Sequence, residues 1–125
     1  MELALDRAFS IALLIFGLSH ALQPQRWAEL FDELFSRPWG PFGVVLFTAP
    51  LTVLILVGHN VWVLDWPLIV TLYGWGSAVK CAHYLLFPQF ALRIANRRLR
   101  TPKNFRRVGV VMSALGAVLA WDAFF

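Results

Sequence analysis

The chain has 125 residues, of which 59% are apolar and only 14% charged, against roughly 25% charged in an ordinary soluble domain. With a mean hydropathy of +0.66 and a single cysteine, Cys81, this excludes a disordered segment and an intramolecular disulfide scaffold. A chain this short has too little interior to hide so many large apolar side chains from water, so lipid is the solvent its composition calls for.

The first span is expected over residues 3–22, where Ser10 is the only polar residue between Ala8 and Leu18. It is read as a retained membrane helix and not a cleaved signal, because Glu2, Asp6 and Arg7 make a poor positively charged leader. Gln23-Pro24 ends it, since proline cannot continue the hydrogen-bond ladder. An amphipathic helix follows over 25–36. Trp27, Leu30, Phe31, Leu34 and Phe35 fall on one stripe, and Arg26, Glu29, Asp32 and Glu33 on the other side. This pattern predicts a helix lying in the membrane interface. The second span, 42–58, carries Pro50 near its middle. A kink is expected there, with the freed carbonyls satisfied by the hydroxyls of Thr48 and Thr52 or by a neighbouring helix. Asp65 is a good helix cap and Pro67 suits a first turn, so the third span runs over 66–87, closed by Pro88.

Residues 89–100 read as a second, basic surface helix. Thr101-Pro102 opens the fourth span, 104–124. Along it Gly109, Ser113, Gly116 and Ala120 form a small-residue face that lets another helix come close. Seven of the eleven basic residues lie between 93 and 107: Arg93, Arg97, Arg98, Arg100, Lys103, Arg106 and Arg107. Flanked by apolar helices, such a cluster faces anionic lipid head groups, and nucleic acid is not an expected partner. The 23–41 and 88–107 loops share one side and hold nine of the eleven bases. The positive-inside rule then puts both termini outside, the basic loop in the cytoplasm, and the protein in the inner membrane. The expected fold is all-α: one transmembrane domain of four spans with one or two interfacial helices.

The run Gly58-His59-Asn60-Val61-Trp62-Val63-Leu64-Asp65-Trp66-Pro67, followed by Thr71-Leu72-Tyr73-Gly74-Trp75, Lys80 and Pro88, resembles an uncharacterised family of small bacterial integral membrane proteins. Gly17-Leu18-Ser19-His20 is compatible with it. The resemblance implies a four-helix membrane fold and a bacterial source. It carries over no catalytic role.

Polar residues inside spans are costly, so each marks a candidate site. Lys80 either snorkels to the cytoplasmic head groups or serves a buried pathway. Tyr73, Ser77, Lys80 and Tyr84 share one face, which reads either as a polar groove or as an interhelical hydrogen-bond seam. His20 and His83 lie at similar depth on different helices and could bind haem, a pigment or a quinone. At the outer edge, His59, Asn60 and Asp65 read either as a capped turn with an aromatic belt or as a ligand site in which His59 pairs with Asp65. No enzyme motif is present, and no metal or cofactor is expected. The leading expectation is a non-catalytic accessory component, packing against itself or other integral membrane subunits and surrounded by membrane lipids. An oligomeric channel along the Lys80 face and a ligand-binding bundle are the alternatives.

Overall fold

A computed structural model describes residues 2–94 and 101–125, and these form helices joined by short connections, with no strand among them. The elements are α1 (Glu2–Leu22), α2 (Pro24–Phe35), α3 (Gly40–Gly58), α4 (Pro67–Leu86), α5 (Pro88–Ile94) and α6 (Pro102–Phe124). Proline sits in the first turn of α2, α3, α4 and α6, where its missing N–H is no loss and its fixed φ suits the helix. Thr101 caps α6 through its hydroxyl, which accepts from the Asn104 N–H at 3.3 Å. Arg97, Arg98 and Arg100, expected at lipid heads, lie outside the described residues, as does the end of the expected 89–100 helix.

Three helices, α1, α3 and α6, are long and apolar enough to cross a membrane. α4 has the length, at 20 residues, but Tyr73, Ser77, Lys80, His83 and Tyr84 make it more polar.

The helices pack as two antiparallel pairs. In one, α1 runs along α6. Arg7 Nε donates to the Ala123 carbonyl at 3.1 Å at one end, and Gly109 lies against Ala21 at the other. The approach is so close that a Cβ on Gly109 would stand 2.4 Å from the Ala21 nitrogen, and one on Gly17 would stand 2.5 Å from the Ser113 nitrogen. Only hydrogen fits at these points. The helix that comes close to the small-residue face of α6 is therefore α1 of the same chain.

In the other pair α3 runs along α4, stitched by side chains at successive turns. Thr52 and Ser77 hydroxyls meet at 2.7 Å, and the Thr48 hydroxyl lies 3.4 Å from Cys81 Sγ. α3 remains helical through Pro50. Proline leaves the Leu46 carbonyl without its usual donor, but the threonines bond elsewhere than expected. Thr48 donates to the Val44 carbonyl and Thr52 to that of Thr48.

The two pairs join through a small apolar core of Phe9, Ile55, Val70 and Leu119, with Leu13, Leu51 and Ile69 against it. α2 departs from expectation. Its aromatic stripe turns onto α1, α3 and α6 instead of onto lipid. Trp27 stacks on His20, and Phe31 on Phe105. The charged side, Arg26, Glu29, Asp32 and Glu33, faces outward. Large apolar side chains remain exposed around the bundle, among them Ile15, Leu46, Phe47, Val57, Val79 and Val110, as lipid-solvated helices require.

Candidate functional site

Two places in the bundle gather polar groups, one at each end. At the end holding both chain termini, the α3–α4 connection folds back over the helix ends. His59 follows the last turn of α3 in extended backbone and is 0% exposed. Its Nε2 lies 2.6 Å from Asp6 Oδ1 on α1, and its Nδ1 lies 2.8 Å from the Thr71 hydroxyl on α4. Thr71 also accepts from the Val61 N–H at 3.2 Å. A neutral imidazole satisfies the whole chain of bonds: Thr71 O–H donates to Nδ1, and Nε2–H donates to the Asp6 carboxylate. One ring thus ties α1, α3, α4 and their connection.

Hydroxyl, imidazole and carboxylate in this order also build nucleophilic hydrolases. Here Thr71 is fully buried. The crevice on the Asp6 side, bounded by Pro67, Val70, Leu119 and Ala123, has no room for a water molecule. The hydroxyl, the imidazole and a carboxylate oxygen are bonded to one another, which joins the three helices as a clamp.

Asp65, considered as the partner of His59, is exposed and turned to its own backbone, accepting from the Trp66 N–H at 2.8 Å. Nor does its side chain cap α4, which begins one residue after Trp66. Asn60 donates to the Leu56 carbonyl and accepts weakly from the Trp75 indole at 3.4 Å. Trp62, Leu64 and Trp66 point outward, Leu64 being 96% exposed. Exposed tryptophans at this edge fit the expected aromatic belt.

The Tyr73, Ser77, Lys80 and Tyr84 face does not assemble as one groove. Ser77 is buried against Thr52. Tyr73 packs on Phe9, with ring centroids 4.8 Å apart, and Tyr84 lies edge-on to Phe35. Lys80 is half-buried and has no carboxylate within 4 Å among the described residues. The buried seam of α4 runs instead through Thr71, Gly74, Ser77 and Cys81.

The second place is the opposite end. His20 Nδ1 donates to the Phe16 carbonyl at 2.6 Å. The ring is stacked on Trp27 at 4.0 Å and lies 5.9 Å from Phe105. The Trp27 indole donates to Ser19 Oγ at 2.8 Å. His83 sits among Tyr84, Phe87 and Phe90, and its Nε2 is buried without a hydrogen-bond partner among the described residues. Among the described residues the two histidines share no ring contact. Among the described residues no group of three or more His, Cys, Asp or Glu side chains is placed to hold a metal ion. Beside His20 a slot of about 320 Å³ opens between α1, α2 and α3.

Sequence reasoning singled out His59 but missed Asp6 and Thr71 as its partners. A signal was available. Asp6 is an acid inside a membrane helix, which needs a partner, and His59 lies at the same end of the neighbouring hairpin. Comparison with protein-family models, with curated proteins and with solved structures finds no match to this chain.

Proposed function

We propose that the chain is a non-catalytic, four-span component of a bacterial inner membrane, working by lateral packing against copies of itself or other membrane subunits. α4 is taken as the fourth span. Its 20 residues reach about 30 Å, the thickness of the hydrocarbon layer, and it lies along α3 from His59–Thr71 to Thr48–Cys81. Both termini lie outside and the basic segment in the cytoplasm, supported by the charge asymmetry of the loops. The resemblance to small bacterial membrane proteins belongs to this same reading.

The observation that carries the packing role is Gly76. It is exposed on α4, and a Cβ there would meet no atom of another helix within 4 Å among the described residues. Glycine in a helix interior costs about 1 kcal/mol relative to alanine, and no close helix contact among the described residues repays that. A neighbouring helix seated over Gly76, beside exposed Leu72, Trp75 and Val79, accounts for it.

Mass measurement of the detergent-purified protein tests this. The wild type is expected as an assembly with itself or another membrane protein, and Gly76→Leu as a single chain of unchanged helical content. A wild type that is monomeric and brings nothing with it, or an assembly indifferent to Gly76→Leu, overturns the reading.

A further inference from the structure

In the half of the bundle nearest the basic segment, side chains do not fill the space between α1 and α3. The slot there is walled by hydrocarbon and aromatic groups, among them Phe9, Leu13, Phe16, Phe47, Leu51 and Met112, and is roofed by α2. Its α1 wall runs from Phe9 to His20, a rise of about 16 Å along a helix. Half of a hydrocarbon core of about 30 Å is about 15 Å. The slot therefore has the length of one leaflet. Its volume, about 320 Å³, is at the small end of ligand sites.

Most polar groups of the wall are engaged by the chain itself, and the Tyr73 hydroxyl, deeper on the wall, is turned to Ser77. The His20 Nδ1–H is held by the Phe16 carbonyl, the Trp27 indole N–H by Ser19, and the Thr48 hydroxyl by the Val44 carbonyl. Such a wall offers little to a polar ligand and suits a plain hydrocarbon chain. A quinone head would need donors for its carbonyl oxygens, and both N–H groups beside the mouth are taken. One face of the His20 ring is covered by Trp27, and Phe105 lies 5.9 Å from it.

Positive charge lies at this end of the bundle. Phe105 joins the first turns of α6 to both His20 and Phe31, so the exposed Lys103, Arg106 and Arg107 are carried at the same end as the slot. Among the described residues none of the three has a carboxylate within 4 Å.

We infer that the slot holds one hydrocarbon chain of an anionic phospholipid from the leaflet at the basic end, with its phosphate met by Lys103, Arg106 and Arg107. This does not depend on lateral packing through Gly76.

The full chain, reconstituted in nanodiscs of equal parts phosphatidylglycerol and phosphatidylcholine with identical acyl chains, is released into the gas phase and its retained lipids are counted. The expected result is one phosphatidylglycerol per chain. The preference over phosphatidylcholine should be about fivefold or more, the effect of one ordinary cation–lipid contact. Leu13→Trp, which fills the slot, should lose that lipid. Ala12→Leu, a milder block on the same wall, should weaken its retention, and is read alone if Leu13→Trp does not fold. Arg106→Gln with Arg107→Gln should keep one lipid but bring the preference towards one. Equal retention of the two lipids by the wild type, retention unchanged in a folded blocking variant, or a quinone found in place of the phospholipid overturns the proposal.

Discussion

At the end where the chain termini lie, His59 bridges Asp6 and Thr71, Arg7 reaches the Ala123 carbonyl, and the apolar core closes the gap between the helix pairs. At the opposite end α1 and α3 part, and α2 covers the opening with flat aromatic contacts. Directional bonds in a dry site hold one geometry. Stacked rings, worth about 0.5–1.5 kcal/mol each, hold a surface together while leaving room beneath it. The contrast explains how so small a bundle can be rigid and hollow at once: each property has its own end.

The largest effect is expected from breaking the clamp. His59→Ala leaves Asp6 facing a hole without its partner, and should destabilise the protein by about 3 kcal/mol, read as a lower midpoint in denaturation from detergent micelles. A loss below half of that would mean that the closed end is held by its apolar core alone.

Next is the α1–α6 seam. Gly109→Ala places a methyl against the Ala21 backbone and should cost about 2 kcal/mol by overpacking. Cysteine cross-linking between α1 and α6 should weaken at the same time. Unchanged stability would show that the seam is looser than the glycine contacts indicate.

Trp27→Phe keeps an aromatic ring over His20 but removes the donor to Ser19. It should cost about 0.6 kcal/mol, typical of a hydrogen bond between membrane helices, and should speed hydrogen exchange in α2 while leaving the clamp end unchanged. Exchange accelerated equally at both ends would erase the comparison.

The smallest effect is expected for Glu33→Gln. The Glu33–Arg37 pair is 2.8 Å long but more than half exposed on both sides, so its loss should change stability by less than about 0.5 kcal/mol.

The helices themselves were readable because their signals are local. Prolines 24, 41, 67, 88 and 102 mark starts, and the apolar runs between them have membrane length. The side each helix presents was harder to read. The stripe of α2 is the same pattern whether it meets lipid or protein, and only the position of α1, α3 and α6 decides. The glycine face of α6 likewise announces a close neighbour without naming it, and the neighbour is α1, which precedes it by the whole length of the chain. For α4, position 77 belongs both to the Tyr73–Tyr84 face and to the Thr71–Cys81 seam, and helical periodicity alone does not choose between them. The clamp was hidden for a different reason. Asp6 and His59 lie 53 positions apart, and sequence order suggested Asp65, six residues away, as the nearer acid.

The pairing of α1 with α6 also sets a timetable for synthesis. Residues 23–101 must be made between these two helices, which takes roughly 4–16 s at usual ribosomal rates of about 5–20 residues per second. Throughout that interval α1 has Gly17 uncovered, and until residue 59 is made Asp6 has no imidazole. Whatever shelters a nascent helix from lipid at the insertion site has to hold this one until the far end of the message has been read.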